Sequence, residues 1–139
     1  MIPRYSRAPM KEVWSSKTKF QIWLDIELYA CEAMEKLGTV PKGTSKKIRA
    51  KAKINEKRID KIESEVKHDV IAFLTSIAEY AGKPARFLHQ GLTSSDILDT
   101  AFNVQLMKSA KIINTELTNL MKSLKKISLK HKNTPCIGR

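Results

Sequence analysis

The chain has 139 residues, of which 42% are hydrophobic, and a formal net charge of +12. Its length suits one ordinary domain with a buried core, and no apolar run approaches the roughly 18 residues of a membrane-spanning helix. Lysine supplies most of the charge, without the interleaved aromatic residues or the arginine-rich helix of a nucleic-acid surface, so we interpret these lysines as solvated helix faces.

The cysteines and the start of the chain bear on its compartment. Cys31 and Cys136 lie far apart and match no disulfide or metal-binding spacing, which favours a reducing environment. The opening residues, MIPRYSRAP, lack the apolar core of a signal peptide. We therefore expect a cytoplasmic protein that holds no metal and contacts no membrane.

The first predicted element is an amphipathic helix over residues 16–37, ended by Gly38. Its apolar residues recur at steps of three and four, namely at Phe20, Trp23, Leu24, Leu28, Cys31, Met34 and Leu37. Two shorter helices are predicted between Thr44 and Lys67, the second of them capped by Asn55. These three helices would form most of a small helical unit.

Two further helices complete the pattern. One carries an apolar stripe from Val70 to Ala81 and is expected to end before the turn at Gly82 and Pro84. The other runs from Asp96 to about residue 130, without proline or glycine, and carries a heptad seam at Leu106, Ala110, Ile113, Leu117, Leu120, Leu124 and Ile127. At the standard rise it reaches on the order of 50 Å, so it needs partner helices.

The predicted fold class is therefore all-α, since no β-type alternation occurs. We expect a helical N-terminal domain over residues 1–95, followed over residues 96–139 by the first long helix of a bundle. The chain stops just after its final residues, NTPCIGR, leave the helical pattern. We expect it to be a fragment.

The run HQGLTSSDILDT, residues 89–100, is the richest candidate site. Thr93, Ser94 and Ser95 can each cap a helix, and Asp96 lies where the helix dipole favours a carboxylate. The free N–H groups of such a helix start can bind a carboxylate or phosphate. The spacing alone is equally compatible with a capping motif and with a ligand site.

Two other groups could carry chemistry. Lys67, His68 and Asp69 interrupt an apolar pattern between two helices, and a carboxylate beside a histidine can orient it for proton transfer. The alternative is that His68 only caps or ends a helix. Arg4 and Tyr5 could bind an anion through the guanidinium fork and the phenol, although a terminal pair of this kind is usually a surface feature.

Together, these segments resemble one family. IPRYSR at the start, KHDVIAFL at residues 67–74, HQGLTSSDILDTA at residues 89–101 and TPCIGR at the end are similar to the N-terminal portion of the adenylosuccinate lyases, within the fumarase and aspartase superfamily. The resemblance implies elimination of fumarate from adenylosuccinate to give AMP, and the parallel cleavage of succinylaminoimidazole carboxamide ribotide (SAICAR) to AICAR. It also implies a homotetramer and no cofactor.

The resemblance further implies roles for individual residues. Arg4 and Tyr5 would contact the nucleotide, with Arg4 on the phosphate side, and Lys67, His68 and Asp69 would line the same pocket. The succinyl carboxylate would bind Thr93 and Ser94, with His89 as a polar support nearby. His68 is the one catalytic candidate among these residues, with its role open between a proton shuttle and a phosphate hydrogen bond.

The family's main catalytic histidine and serine belong to motifs that would lie beyond Arg139. We therefore expect the 139-residue chain alone to have no lyase activity. Two alternatives stay open: another lyase of the superfamily, such as an argininosuccinate lyase, or a basic all-α module that binds nucleic acid. Arg4, Tyr5 and the pair His68 and Asp69 favour the purine nucleotide substrate, and a steep salt dependence of DNA or RNA binding would favour the module.

Overall fold

The computed structural model describes residues 2–138, and of residue 3 the backbone only. It contains six α-helices within this range: α1 (Ala8–Val13), α2 (Ser16–Leu37), α3 (Thr44–Lys51), α4 (Glu56–Val66), α5 (Asp69–Ala81) and α6 (Ser94–His131). Short 3-10 helices cover Pro3–Tyr5 and Lys83–Phe87. No strand occurs among the described residues, which confirms the predicted all-α class.

The helix ends follow from local chemistry that the sequence contains. Ser15 caps α2 by accepting a hydrogen bond from Thr18 N–H at 3.1 Å, and Gly38 ends the helix with a φ of 80°. Asn55 caps α4 through the Arg58 N–H at 3.1 Å. The predicted positions of Gly38 and Asn55 as helix boundaries are confirmed.

The core lies where α2 and α5 pack together beneath the start of α6. Three aromatic rings occupy its centre: Phe20 stacks on Phe73 at 5.8 Å, and Trp23 meets Phe73 edge-on at 5.5 Å. Ile97 and Ala101 of α6 are fully buried against this cluster. Burial of this kind fixes the start of α6 on the N-terminal helices.

Helix α6 leaves the core less than halfway along its length. Its buried residues recur every four positions, at Ile97, Ala101, Gln105 and Ser109, whereas every residue after Ile112 is exposed within the described range. At 1.5 Å per residue the helix is roughly 57 Å long. More than half of it therefore extends beyond the packed core.

The N-terminal segment is bound to the side of α6. Gln105 donates from its amide to the Val13 carbonyl at 2.9 Å, and Trp14 donates from its indole to Ser109 at 3.1 Å. Further along, Arg7 pairs with Glu116 at 2.7 Å. These contacts place the first residues of the chain beside the middle of α6.

Candidate active site

The loop that precedes α6 has an unusual backbone. His89 has a φ of 60° and Gly91 a φ of 70°, both in the left-handed region that favours glycine. Leu88 is buried on one side of the loop and Ile97 on the other. Since the flanking residues are fixed in the core, the left-handed conformation of His89 is imposed by its surroundings rather than by its own preference.

His89 is held by a buried carboxylate. The Glu27 side chain is 0% exposed, and its Oε2 accepts a hydrogen bond from the His89 N–H at 2.7 Å. Its Oε1 lies 2.7 Å from Nδ1 of the His89 ring. The two oxygens of one carboxylate therefore fix both the backbone and the ring of His89.

Thr93 caps α6. The Asp96 carboxylate accepts a hydrogen bond from the Thr93 N–H at 2.8 Å, and the Asp96 N–H donates to the Thr93 carbonyl at 3.0 Å. The N–H groups of Ser94 and Ser95 occupy the first helical positions, where no intrahelical acceptor exists. The capping motif and an open pair of donors are thus present at the same helix start.

Residues 67–69 form the junction between α4 and α5. Lys67 ends α4 in a left-handed conformation, with a φ of 55°. His68 caps α5, accepting at Nδ1 from the Ile71 N–H at 3.3 Å, and Asp69 Oδ1 accepts from the Val70 N–H at 2.7 Å. A neutral His68 therefore carries its proton on Nε2, and its half-exposed ring can donate it to a ligand.

Arg4 and Tyr5 lie beside α6. The Arg4 guanidinium lies 4.8 Å from the centre of the exposed Tyr5 ring. Tyr5 lines an apolar cavity of about 710 Å³ between the N-terminal segment and α6, together with Arg7, Ile113 and Leu117. The Tyr5 ring and the Arg7 guanidinium thus lie at the edge of a cavity large enough for a small molecule, and Arg4 is next to Tyr5 in the chain.

The three groups of candidate residues make no direct polar contact with one another among the described residues. No hydrogen bond or ion pair within residues 2–138 joins residues 67–69 to residues 89–94, or either group to Arg4 and Tyr5. Arg7 contacts Glu116, 22 positions after Ser94, which corresponds to roughly 30 Å along α6. The N-terminal pair and the start of α6 therefore cannot bind one small ligand within a single copy.

Two of the catalytic residues that the resemblance implies are expected after the end of the chain. The main catalytic histidine and serine are expected beyond Arg139, and Arg139 itself lies outside the described residues, which end at Gly138. The sequence contains neither of the two motifs that would hold them. The expectation about these two residues therefore stays a prediction.

Glu27 is the residue of this region that the sequence reasoning missed. It lies on the apolar stripe of α2, four residues from Trp23 and four from Cys31, so a carboxylate at a core position was the available signal. Its partner lies 62 positions away and follows no periodic pattern. Within residues 2–138, no group of three histidine, cysteine or acidic side chains could hold a metal ion.

The whole chain is similar to known lyases. Residues 4–139 match the model of a family described as lyase. Adenylosuccinate lyases from Synechocystis sp., Thermotoga maritima and Helicobacter pylori are 44%, 42% and 43% identical to it over 139 residues. The match takes in 100% of the chain and 32% of each relative, so the chain spans about a third of their length.

The fold has also been seen before. A fumarate lyase from Mesorhizobium sp. has a similar structure, with a TM-score of 0.85 at 24% sequence identity. The similarity covers 97% of this chain and 34% of that one. At this level of identity it demonstrates a shared fold. Separately, no helix within residues 2–138 has both the length and the apolarity required to cross a bilayer.

Proposed function

The chain belongs to the lyase family whose model it matches, and we propose from this premise that the whole protein is an adenylosuccinate lyase. The reaction eliminates fumarate from adenylosuccinate to leave AMP, and in the same way converts SAICAR to AICAR. One observation carries the proposal: 42–44% identity to adenylosuccinate lyases along the entire chain. The open helix start after His89 is the structural feature that fits this chemistry.

The start of α6 suits the succinyl end of the substrate. Ser94 and Ser95 offer backbone N–H groups, Thr93 and Ser94 add hydroxyls, and the helix dipole favours an anion at this end. Elimination builds negative charge on the carbon next to a carboxylate. Donors fixed on that carboxylate stabilise the aci-carboxylate as it forms, so Thr93 and Ser94 act in the transition state as well as in binding.

The remaining candidates suit the nucleotide end. Arg4 binds the phosphate and Tyr5 contacts the nucleotide, while Lys67 and Asp69 lie in the same pocket. His68 carries a proton on Nε2 when neutral, so it can donate a hydrogen bond to a phosphate oxygen or pass on a proton. The main catalytic histidine and serine belong to later segments of the whole protein, and the 139-residue chain alone is inactive in this proposal.

The proposal also includes a cytoplasmic homotetramer whose active sites are shared between copies. Two observations support the sharing: the separation of roughly 30 Å along α6 between the Arg7 contact and Ser94, and the exposed seam on the second half of that helix. Residues 1–95 form the N-terminal domain, and residues 96–139 begin the bundle through which the copies associate. Arg4 and Tyr5 of one copy then meet Thr93 and Ser94 of another.

The test uses the full-length protein and follows the loss of adenylosuccinate by absorbance. We expect Thr93→Ala and Ser94→Ala each to lower kcat/KM at least about tenfold, equivalent to roughly 1.4 kcal/mol of transition-state stabilisation. Ser95→Ala is the matched control, because it removes the same hydroxyl one position later from an exposed side chain. It should stay within about twofold of the wild type.

Two outcomes would overturn parts of this proposal. If Thr93→Ala and Ser94→Ala stayed within about twofold, the start of α6 would be only a capping motif. If the full-length wild type did not cleave adenylosuccinate, the substrate assignment would be wrong, and argininosuccinate would be the next substrate to assay.

A further inference from the structure

Glu27 is an ionisable side chain inside the hydrophobic core. The residue as a whole is 1% exposed, and on its own helix it is flanked by Trp23, Leu24, Leu28 and Cys31, all buried. A carboxylate in such surroundings is costly unless donors satisfy it. Both of its donors come from His89, which lies in the loop before α6.

This arrangement determines where His89 carries its proton. Glu27 Oε1 can only accept when ionised, so the ring nitrogen 2.7 Å away, Nδ1, must be the donor. Most free histidine side chains carry the proton on the other nitrogen. With Nδ1 bound to Glu27, Nε2 is the nitrogen left for a ligand, and the His89 side chain retains 18% exposure.

We propose that Glu27 is a positioning residue, which holds His89 in the Nδ1–H form and at a fixed angle beside the start of α6. Nε2 of His89 then carries the lone pair and faces the substrate as an acceptor for one of its N–H or O–H groups, an assignment that rests on the proposed lyase function. His68 is held in the other tautomer, with its proton on Nε2, because its Nδ1 accepts a hydrogen bond from a backbone N–H. The chain thus offers two free ring nitrogens of opposite character, a donating Nε2–H on His68 and an accepting Nε2 on His89.

A glutamine at position 27 separates positioning from packing. The amide has the shape of the carboxylate, and its oxygen can still accept from the His89 N–H, but its NH₂ can only donate to Nδ1. Glu27→Gln therefore keeps both contacts and moves the ring proton to Nε2. We therefore expect the variant to keep the fold while Nε2 of His89 changes from a hydrogen-bond acceptor to a donor.

The kinetic experiment is a double-mutant cycle in the full-length protein, with Glu27→Gln, His89→Ala and both together. We expect Glu27→Gln to lower kcat roughly 10- to 100-fold with a smaller change in KM, as misplacement of a group in an active site does. In the His89→Ala background the same change should have less than about a twofold further effect. Independent, multiplying losses would show that Glu27 serves only the core, and would overturn the proposal.

Glu35→Gln is the matched control for the kinetic experiment. Glu35 also lies on α2 and accepts two backbone N–H bonds, from Gly43 at 2.7 Å and Ser45 at 2.6 Å, but it contacts no histidine. It should leave kcat within about twofold of the wild type. A loss in Glu35→Gln as large as that in Glu27→Gln would mean that any weakening of α2 impairs the enzyme.

A second measurement does not depend on the substrate. Magic-angle-spinning ¹⁵N spectra of the sedimented, histidine-labelled full-length protein report which nitrogen is protonated, and the His89 signals are those lost in His89→Ala. We expect protonated Nδ1 in the wild type and protonated Nε2 alone in Glu27→Gln. An unprotonated Nδ1 in the wild type would overturn the proposal even if the enzyme proved to be an adenylosuccinate lyase. A protonated Nδ1 without lyase activity would leave the positioning intact and reject only the substrate.

Discussion

Lys67 has a backbone conformation that residues with a side chain rarely adopt. Its φ of 55° places a residue with a Cβ in the left-handed region, which costs roughly 1 kcal/mol relative to glycine. Its N–H still donates to the Glu63 carbonyl at 2.8 Å, so the α4 end itself is well formed. A strained residue at a helix end is compatible with a role that requires the lysine side chain.

We therefore predict that Lys67→Gly raises the free energy of unfolding by about 0.5–1 kcal/mol, because glycine adopts this conformation without strain. Lys67→Ala is the control, since it removes the ammonium group but keeps the Cβ, and it should not stabilise. Urea unfolding of the three proteins measures the difference. In the full-length enzyme both variants should lose the same amount of kcat/KM, and a loss confined to one of them would contradict the proposed contact of the side chain.

Glu35 is a second residue with a specific energetic effect, because its ionisation makes the stability of the fold depend on pH. Hydrogen bonds from the backbone of Ser45 and then of Gly43 hold the pKa of this carboxyl below its ordinary value of 4.5. Because the pKa is lower in the folded state, the ionised group contributes stability above the unfolded pKa. That contribution is lost as the pH falls through the folded pKa.

The prediction is that Glu35→Gln unfolds at a lower urea concentration than the wild type at neutral pH. The difference between the two proteins should shrink as the pH is lowered from neutral through the folded pKa of Glu35, which lies below 4.5, because the wild-type carboxyl then becomes neutral as well. Unfolding midpoints across this range measure it. A difference that stayed constant with pH would mean that the charge on Glu35 contributes nothing to the capping of α3.

At the scale of elements, the helices with strong local signals were predictable. The Asn55 cap and the Gly38 stop are chemical features of single residues, and the apolar spacing of α2, α5 and α6 is periodic. Helix α1 was missed because its six residues carry no such pattern. Contacts from Gln105 and Ser109, more than 90 positions away, hold it in place.

The same distinction applies to the candidate site. The helix start at Thr93 and the cap at His68 are local motifs, and both lie where the sequence predicted special chemistry. The pairing of Glu27 with His89 joins α2 to a loop 62 positions away, so it depends on the packing of the whole domain. Long-range contacts between polar residues were the part that the sequence did not reveal.

Asn55 allows the capping of an element to be tested. Its Oδ1 accepts from the Arg58 N–H at 3.1 Å, and its Nδ2 donates to the Tyr80 hydroxyl of α5 at 3.0 Å. Asn55→Ala should lower the free energy of unfolding by about 1 kcal/mol, the usual cost of removing a cap. Asn55→Asp keeps the acceptor and loses only the donor to Tyr80, so denaturant unfolding should show a clearly smaller loss. Equal losses would indicate that the bond to α5 dominates.

At the scale of the whole molecule, the second half of α6 determines how the chain behaves in solution. Its seam residues are each half exposed or more, between 50% and 58%, at Ile113, Leu117, Leu120, Leu124 and Ile127. A continuous apolar stripe of this length is uncommon on a monomer and favours association with other helices. The net charge of +12 opposes it, and salt screens that repulsion.

We predict that the 139-residue chain self-associates in a concentration-dependent way, and more strongly at high salt than at low salt, because the stripe attracts while the lysines repel. Sedimentation velocity over a range of concentrations measures the association. Leu117→Lys combined with Leu124→Lys should shift the chain toward monomer. The matched control, Thr115→Lys with Thr118→Lys, adds the same two charges at exposed positions off the stripe and should not. If the control pair dissociated the chain as well, added charge rather than loss of the stripe would be the cause, and if the wild type stayed monomeric at all concentrations the seam would need a different partner.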